Sequence, residues 1–499
     1  MNMRDEPDAK RQKLEVDSYS SIKDLPDELV IEILCRLPDY KYAFQCKCIS
    51  KHWLSLISSP YFIRSFVAAA NNKMKFNQPF AFVYFQSMVE RLYKSLELKF
   101  PPYKADRKEA STVLNLITPN PGTFKSNEFS LEFLPCYRGE DDRPIITILK
   151  TYNDLILCCE EKFDKKESCS YYICNPRTKQ WVALPPTPPH DLYEYIEVEF
   201  ICEPYYYTDE KGMVILNSQF KFKVLRFLRA YSSRKIRFQI FSSETGQWDR
   251  DITGISMPPK SPVCFIVRSL LCKDKVSLIC LTRRYPDLTL RAITLDHHNQ
   301  SLHRVVYYHG SRFCRPPFRS VMHLSLQYGS IIIMVQIYVN VAASQPDYGV
   351  PVLLISRLNK SLTKWKLWHR VSFREMTSQN KWISDVYLKK TFAVKENRQQ
   401  HSTMPIVLGF HPYSASHLYL NLNCESDHQM GVYNVRKRTL NFVSKCWHHS
   451  SFPRYQMFCF HLWSAVSRIV LPSWPTPIPQ ISLSQSQEAA LPCQGYSLT

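Results

Sequence analysis

The sequence predicts an α+β multidomain protein in which a small N-terminal three-helix module precedes a large all-β, propeller-like domain. Residues 21–70 carry apolar positions at helical spacing, and from about Phe80 onward short β-type runs alternate with Pro, Asn, Asp and Ser. A hairpin-like unit then recurs through the second region, which is typical of repeated four-stranded blades. The change of period therefore separates two domains of different class.

Composition sets the outer boundaries of these domains. Residues 1–20 are polar and residues 472–499 are rich in Pro, Ser and Gln, so both are predicted to be disordered tails. Between them we expect the helical module at 21–70, a linker and entry segment at 71–127, and the β domain at 128–471.

The overall composition excludes several classes of protein. The chain has 499 residues, of which 45% are hydrophobic, so it can bury sizeable cores. It has only 11 glycines and no phosphate-binding glycine motif, so a glycine-rich nucleotide-binding fold is not expected. The N-terminus lacks the apolar segment of a secretory signal, and the apolar run Ser330–Ala343 is too short to span a bilayer. The 17 cysteines are therefore expected to be free thiols in a reducing compartment, the nucleus or cytoplasm.

The formal net charge of +20 could attract nucleic acid, anionic membranes or acidic proteins. However, Lys and Arg are scattered along the β-runs and alternate with apolar residues, as in Phe220–Val224. This pattern indicates that the positive charge lies on solvated strand faces. The second interpretation of the charge is an acidic protein partner. No membrane partner is expected, and nucleic acid is not favoured.

Four segments of the β region share one plan: a β-run, a polar turn, a basic residue or Gln, and a large apolar residue that opens another run. The polar turn residues can bond their own backbone, and the large apolar residue can pack on a neighbouring sheet. We expect a hairpin at each segment and six blades in total. The segments are YYICNPRTKQWVALP (171–185), FQIFSSETGQWDRDI (238–252), LLISRLNKSLTKWKLW (353–368) and GVYNVRKRTLNFVS (431–444).

The first predicted helix contains more apolar surface than its module can bury. It begins near Pro26, with Asp27 at the positive end of its dipole, and Pro38 ends it. Except for a stripe of charged residues, every position from Leu29 to Leu37 is apolar. A helix that is solvated on one face needs a much narrower apolar stripe. Part of this surface is therefore predicted to await a partner.

Two further helices are predicted, at Tyr40–Cys48 and Ser50–Ile57, with Trp53, Leu54 and Ile57 on an apolar face. The whole pattern, L-P-x-E-L-x-x-x-I-L-x-x-L-P followed by K-C-I-S-K-x-W, resembles an F-box. That resemblance implies a three-helix unit that binds the small acidic Skp-type adaptor of a cullin-based SCF ubiquitin ligase. It places the adaptor contacts at Leu25, Pro26, Leu29, Ile33, Leu34, Leu37, Pro38, Cys48, Ile49, Ser50 and Trp53.

One corner departs from the F-box pattern. The segment DYKYAFQC (39–46) stands where the family usually has an apolar and basic stretch, and it is one residue longer. Asp39, Tyr40 and Tyr42 are the unusual residues. The family pattern therefore does not predict the adaptor contacts at Tyr40–Phe44.

The β region resembles the plant-type F-box-associated domain, a kelch-related, propeller-like fold. In that family this domain selects a target protein, which differs from member to member. The target-binding residues here are unknown, although Tyr205–Tyr207, Tyr307 and Tyr308 are candidate contacts. The resemblance rests on EFSLEFLP (128–135), YYICNPRTKQWVALPP (171–186), FQIFSSETGQWD (238–249) and the segments within 409–440.

Two cysteine-containing groups contain residue types that can ligate a metal ion, but neither is favoured as a metal site. Both lie on predicted β-runs, and adjacent strand residues point to opposite faces. Core thiols and surface imidazoles explain them better, so no metal or cofactor is expected. The first group is Cys446, His448, His449, Cys459 and His461, and the second is Cys158, Cys159, Cys169 and Cys174.

The sequence contains no catalytic motif, so we expect a non-catalytic protein. The leading hypothesis is a substrate-recognition subunit of an SCF ligase, with one surface for the adaptor and one for a target protein. Two alternatives remain: an F-box scaffold without a role in ubiquitination, and a basic propeller that binds nucleic acid. An enzyme on the β region has no motif to support it.

Overall fold

A computed structural model of the chain describes residues 25–74, 78–84, 116–119, 124, 129–138, 145–161, 170–188, 194–230, 235–256, 264–272, 275–284, 287–296, 301–308, 319–327, 331–339, 350–358, 365–387, 405–424, 427–445, 462–463 and 466–482. The chain divides into two compact units. In the part that the structure describes, the first comprises residues 25–74 with 208–216, and the second comprises the remainder. No helix among these residues is long and apolar enough to cross a membrane.

The first unit is helical, as predicted for residues 21–70. Asp39 caps α2 by accepting a hydrogen bond from the Lys41 amide at 3.1 Å, and Ser50 caps α3 in the same way from the Trp53 amide at 3.1 Å. These caps fix where the second and third helices begin. The helices are α1 (Asp27–Cys35), α2 (Tyr40–Cys46), α3 (Lys51–Ser58) and α4 (Pro60–Met74).

Helix α4 adds a fourth helix to the three expected from the sequence. It packs against α1 and α3, and it buries Phe62, Ile63, Phe66 and Val67. Ser59 precedes it and accepts a hydrogen bond from the Phe62 amide at 3.1 Å. Much of the apolar surface of α1 is therefore covered within the unit itself.

A two-stranded hairpin, β8 (Tyr206–Thr208) and β9 (Val214–Leu216), contributes its tip to the same unit. The Asp209 carboxylate accepts hydrogen bonds from the amides of Lys211 and Met213, at 2.9 and 2.8 Å. Gly212 has a φ of +82°, which favours glycine at this turn. Strand β9 packs against α4.

Among the described residues, the second unit contains six sheets of three to five strands, antiparallel except where β25 joins, here called blades 1 to 6. Blade 1 is β2 (Leu116–Ile117), β1 (Phe80–Tyr84) and β26 (Val466–Val470), in that spatial order. Blade 2 is β3 (Ile145–Tyr152), β4 (Leu155–Glu161), β5 (Ser170–Asn175) and β6 (Gln180–Ala183). Blade 3 is β7 (Glu194–Cys202), β10 (Phe222–Ala230), β11 (Lys235–Ser242) and β12 (Gln247–Ser256).

In the other three blades, as in blades 2 and 3, consecutive strands along the chain are neighbours in the sheet. Blade 4 is β13 (Cys264–Cys272), β14 (Lys275–Arg284), β15 (Asp287–Asp296) and β16 (Ser301–Tyr308). Blade 5 is β17 (Arg319–Gln327), β18 (Ile331–Val339), β19 (Pro351–Leu358) and β20 (Trp365–Ser372), with β25 (Leu462–Trp463) parallel to β17. Blade 6 is β21 (Ile406–His411), β22 (Ser414–Cys424), β23 (Asp427–Asn434) and β24 (Thr439–Lys445).

One strand of each blade takes part in a closed ring of contacts. Strand β3 contacts β26 and β7, β13 contacts β7 and β17, and β21 contacts β17 and β26. The sheets are therefore arranged as propeller blades around a common centre, which confirms the predicted propeller-like fold. The six blades agree with the predicted number.

The hydrophobic cores lie between consecutive blades. Residues of blades 1 and 2 share one core, which includes Ile156, Trp181 and Ile469, and residues of blades 2 and 3 share a second. A third lies between blades 5 and 6, and a fourth between blades 6 and 1. Each of these blades is therefore stabilised mainly by burial against its neighbours.

The four recurring segments are hairpins, as predicted, and each forms the last two strands of its blade. In two of them an Asn side chain accepts from the turn backbone: Asn175 from the Arg177 amide and Asn434 from the Arg436 amide. The residue before the second strand is in the left-handed region at Lys179, Gly246 and Arg438. Shared turn chemistry thus explains the repeat.

Two ends of the β domain differ from the sequence predictions. Strands β1 and β2 precede residue 128 and complete blade 1 with β26. Residues 472–482, which were predicted to be part of a disordered tail, bury Trp474 and Thr476 against the domain. Both corrections have one cause: a propeller joins segments from its two ends, and local composition does not record such pairing.

A buried polar network holds this C-terminal segment to blade 2. The Asp154 carboxylate is fully buried, accepts from the Thr476 amide at 3.2 Å and pairs with Arg177 at 3.4 Å. Asn175 donates to Asp154 and to the Thr476 carbonyl, and Arg177 donates to the Pro472 carbonyl. Burial raises the pKa of Asp154, while Arg177 and these hydrogen bonds oppose the rise.

We predict that Arg177→Met lowers the free energy of unfolding by about 3 kcal/mol, because it leaves a buried carboxylate without its cation. Urea denaturation followed by tryptophan fluorescence measures the change. Lys221→Met is the matched control, since it removes the cation of an ion pair with Glu244 at the solvent-exposed surface. Equal urea midpoints for the two variants would show that the buried ion pair contributes no more to stability than the exposed one.

Candidate functional site on the helical unit

The first helix presents two different apolar faces. Val30, Ile31 and Leu34 are buried inside the helical unit, whereas Leu29 and Ile33 remain 47% and 50% exposed. Leu29 and Ile33 are four residues apart and so lie on the same side of the helix. The structure therefore shows an apolar face that the unit does not bury.

Charged residues border this face. Glu28, Glu32 and Arg36 are all exposed, and Glu32 pairs with Arg36 one turn later. This is the orientation that favours an i,i+4 pair. Because both side chains are solvated, the pair contributes little to stability and leaves the adjacent apolar face accessible.

Two more exposed apolar residues come from the start of α3. Ile49, just before the helix, is 63% exposed, and Leu54 within it is 48% exposed. The His52 imidazole lies 2.9 Å from the Asp27 carboxylate, which brings the first turns of α1 and α3 together. We call Leu29, Ile33, Ile49 and Leu54 the apolar surface of the unit.

The residues assigned to adaptor contact by resemblance fall into three groups. Leu34 and Trp53 are buried and support the apolar surface from beneath, so they are not available for direct contact in this structure. Leu25 and Leu37 are partly buried. The exposed members are Pro26, Leu29, Ile33, Pro38, Cys48, Ile49 and Ser50.

Three exposed large apolar residues of helices α2 to α4 lie outside that set: Leu54, Tyr42 and Tyr61. The sequence predicts Leu54 on one apolar face with Trp53 and Ile57, which is wrong, because only the other two side chains are buried. Trp53, Leu56 and Ile57 mark the buried face of α3, so a residue one position after Trp53 points elsewhere. Tyr61 lies on α4, whose packing was not expected from the sequence.

The unusual corner at 39–46 is well integrated in the helical unit. Asp39 caps α2, and Tyr40 is buried with its ring edge-on to Phe44 at a centroid distance of 5.4 Å. The Lys47 ammonium lies 4.4 Å from the centre of the Phe44 ring, and burial lowers the pKa of this lysine. Tyr42 is the residue of this corner that projects into solvent.

The described cysteines of the second candidate metal group are divided between two hydrophobic cores. Cys158 and Cys174 lie in the core between blades 1 and 2, whereas Cys159 lies in the core between blades 2 and 3. A hydrogen bond with Cys174 and burial raise the pKa of the Cys158 thiol. Among the described residues no group of three or more His, Cys, Asp or Glu side chains could hold a metal ion. Cys169 and the group Cys446, His448, His449, Cys459 and His461 lie outside the described residues.

Both units match known families. The F-box domain family matches residues 22–65, which contain α1 to α3. The family described as "F-box protein At3g26010-like, beta-propeller" matches residues 133–480, more than half of the chain. The chain belongs to this family of F-box proteins. The resemblance of residues 21–66 to an F-box is thereby confirmed, whereas a specific relation to kelch propellers stays a prediction.

Curated relatives are plant F-box proteins. F-box protein At5g07610 of Arabidopsis thaliana is 25% identical over 241 residues, which cover 48% of this chain and 47% of the relative. F-box protein At1g30790 of the same plant is 28% identical over 167 residues, or 34% of this chain and 35% of the relative. The aligned part of this F-box protein thus spans half or less of each relative.

Among solved structures, the Penicillium chrysogenum alpha-L-arabinanase complexed with arabinobiose is 11% identical to this F-box protein. The match covers 58% of this chain and 77% of that enzyme, with a TM-score of 0.32. A superposition of this quality supports no inference about activity.

We predict that Leu34→Ala destabilises the F-box by about 3 kcal/mol, because the truncation opens a cavity in its core. Amide hydrogen exchange in α1 of the full chain should then accelerate roughly a hundredfold. Leu29→Ala is the control, and its exchange should change less than fivefold. The burial assigned to Leu34 would be contradicted by equal exchange rates in the two variants.

Proposed function

We propose that this F-box protein is a substrate-recognition subunit of an SCF ubiquitin ligase. Its F-box binds the Skp-type adaptor, and its β domain binds a target protein for ubiquitination. The supporting observation is the apolar surface of the helical unit, which lies within the segment that matches the F-box family. Membership in a family of F-box proteins with a propeller supports a Skp-type adaptor as the partner at this surface.

The exposed area on this surface can contribute to binding a partner. Complete burial of a Leu or Ile side chain is worth about 1.5–3 kcal/mol, and about half of each of the four side chains is still exposed. A partner that covers all four would gain roughly 3–6 kcal/mol before the costs of association. Additional contacts from Pro26, Pro38, Cys48 and Ser50 would complete the interface.

The charge of the chain favours an acidic adaptor. The protein carries a formal net charge of +20, and the exposed Lys51 as well as the exposed Glu28 and Glu32 lie near the apolar surface. Complementary charge speeds the encounter of two proteins and fixes their register more than it raises affinity. We expect this adaptor to connect the chain to a cullin-based ligase in the nucleus or cytoplasm.

In this role the chain does no chemistry of its own. Partner subunits would transfer ubiquitin, and the chain would hold the target near them, since proximity and orientation lower the barrier of a two-body reaction. The absence of a catalytic motif in the sequence agrees with this proposal. No cofactor is required.

The first test uses Leu29→Asp combined with Ile33→Asp in the full chain. We expect at least a tenfold loss of affinity for a purified Skp-type adaptor, measured by biolayer interferometry, because two carboxylates would be desolvated in the interface. Met213→Asp is the matched control, since it also places a carboxylate at an exposed apolar residue of the helical unit. Adaptor binding that the double variant leaves intact would refute this interface.

A second readout separates the ligase from a scaffold. Proximity labelling in cells compares the intact protein with the double variant, and targets should accumulate on the variant that cannot reach the adaptor. A chain that binds adaptor and cullin but stabilises no labelled protein when mutated would be a scaffold instead.

A further inference from the structure

Residues 472–482 run as an extended segment past blades 2 and 3, and we call this segment the strap. Its sequence, PSWPTPIPQIS, has proline at four of eleven positions. Such spacing favours the polyproline II conformation, which makes no internal hydrogen bonds and so leaves its backbone groups for a partner. The strap belongs to no helix or strand of the described chain. It can therefore separate from the domain without breaking a strand pair.

Three turns of the β domain contact the strap. They are the turn at Asp154 between β3 and β4, the turn at Asn175–Arg177 between β5 and β6, and the turn at Ser243 between β11 and β12. We call Asp154, Asn175, Arg177 and Ser243 the strap site. Because these residues come from two blades, a segment must be extended to contact all of them.

Several contacts of the strap site go to the backbone of the strap. Asn175 donates to the Thr476 carbonyl at 2.7 Å, and Arg177 donates to the Pro472 carbonyl at 2.9 Å. The Ser243 carbonyl accepts from the amide of the last strap residue at 2.9 Å. Bonds of this kind select an extended backbone, whereas the side chains of the segment decide which sequence fits.

Two side chains of the strap are recognised individually. Trp474 is buried, and a buried aromatic anchor is typical of peptide and protein interfaces. Only 2% of Thr476 is exposed, and its amide donates to Asp154 at 3.2 Å. Burial raises the pKa of Asp154, while Arg177 and a hydrogen bond with the Thr476 side chain oppose the rise. With Pro475 also buried, the site accommodates an aromatic residue, a proline and a hydroxyl residue in that order.

Contacts within blade 2 hold most of the strap site in place. The Asn175 side chain donates to the Asp154 carboxylate at 3.0 Å and accepts from the Arg177 amide at 2.9 Å. The Arg177 guanidinium lies 3.4 Å from the same carboxylate. None of these three contacts involves the strap. The site is therefore preorganised for an extended segment, which reduces the free energy lost to ordering on binding.

The second half of the strap is accessible to a competitor. After Thr476, Pro479 is the one buried residue of the strap, and Gln480 and Ser482 are exposed. Surface segments with few buried contacts open locally at a lower free energy than the core of a domain. A competing segment can therefore begin to bind at this half of the strap and then replace the buried half.

We infer that the strap site binds an extended, proline-rich segment of the target protein, and that the strap occupies this site as an intramolecular competitor. This inference rests on the proposed function, in which the β domain selects the target. The strap shows the chemistry that the target segment needs: an aromatic residue, then proline, then threonine or serine, with further prolines nearby. A tethered competitor acts at an effective concentration of roughly millimolar, so a target must match several of these positions to displace it.

The same geometry excludes a phosphate at the hydroxyl position. Thr476 is almost completely buried beside the Asp154 carboxylate, so a phosphate there would meet like charge without solvent to screen it. Phosphorylation of the target segment is therefore expected to prevent binding at this site.

The first experiment releases the strap in the full chain with Trp474→Ala. The probe is the fluorescein-labelled peptide PSWPTPIPQIS, and fluorescence anisotropy measures its affinity. We expect Trp474→Ala to bind the peptide at least tenfold more tightly than the unchanged chain, because the internal competitor has lost its aromatic anchor. Gln480→Ala is the control, since Gln480 is exposed, and it should change the affinity less than twofold. A Trp474→Ala chain that melts cooperatively and binds no peptide at millimolar concentration would overturn the inference.

Thr476→Val serves as a second release variant. It keeps the shape of the side chain and removes its hydroxyl, so it applies the same criterion if Trp474→Ala does not melt cooperatively. We expect at least a threefold gain in affinity for the peptide. No gain in a folded Thr476→Val chain would contradict the contact with Asp154.

Altered peptides test which chemistry the site recognises. A scrambled peptide of the same composition, a peptide with Ala in place of the Trp, and a peptide with phosphothreonine in place of the Thr should each bind Trp474→Ala at least tenfold more weakly. Equal binding of the scrambled peptide would refute a specific site. Light scattering on the unchanged chain adds one more outcome: a dimer that Trp474→Ala dissociates would assign the site to the strap of a second copy and refute a target segment.

Asn175→Ala and Asn434→Ala, each combined with Trp474→Ala, locate the bound peptide. Both asparagines accept a hydrogen bond from a turn amide of a blade hairpin, but Asn175 also donates to the strap. We expect Asn175→Ala to weaken peptide binding at least tenfold and Asn434→Ala less than twofold. Equal effects of the two variants would place the peptide elsewhere on the domain.

These outcomes are independent of adaptor binding, because the peptide assay contains no adaptor. If the Leu29→Asp and Ile33→Asp test fails while Trp474→Ala binds the peptide as expected, the ligase role is wrong and the peptide site stands. If adaptor binding behaves as expected and no released chain binds the peptide, the ligase role stands and the strap is only a structural segment.

Discussion

The pairing of β1 with β26 is the interaction on which the β domain depends. Five residue pairs, from Phe80 with Val470 to Tyr84 with Val466, join strands from the two ends of the domain into blade 1. Blade 1 then closes the ring, because β26 contacts both β3 and β21. Without this closure, the cores on both sides of blade 1 would face water, and the apolar residues that they bury would lose most of their stabilisation.

Closure also explains why the segment after β26 is structured. Once β26 is fixed in blade 1, the chain that follows runs past blade 2, where Thr476 meets Asp154, and reaches Ser482, whose amide donates to the Ser243 carbonyl of blade 3. Gly246 lies so close to this segment that an added Cβ would sit 1.9 Å from the Ser482 carbonyl oxygen. The segment is therefore part of the domain, and hydrogen bonds at Pro472, Thr476 and Ser482 offset part of the cost of its burial.

The helical unit and the space between blades 5 and 6 are lined by different kinds of side chain. In the helical unit, α4 covers one side of α1, and what remains exposed is an apolar surface whose binding energy would come from burial. Between blades 5 and 6, Asn434 accepts a hydrogen bond from the Arg436 amide, and the Ser414 oxygen accepts one from the Ser416 amide. Burial gives little chemical discrimination, whereas a set of donors in fixed positions can distinguish one ligand from another.

The sequence by itself determined the two domain classes, the F-box and its first three helices, the four hairpins and the family. These features depend on local spacing: helical period in α1, cap residues such as Asp39 and Ser50, and turn residues such as Asn175 and Asn434. Local spacing can be read directly from the amino-acid sequence. It also predicted that α1 carries more apolar residues than one buried face requires.

Only the tertiary structure decided which of those residues are exposed. Leu29 and Leu34 look equivalent in the sequence, and the packing of α4 against α1 separates them into surface and core. The same holds for residues 472–482 and for Arg357 and Arg436, which lie on different blades but line one pocket. Contacts between residues far apart in the chain depend on how blades and helices pack, and no local pattern records that packing.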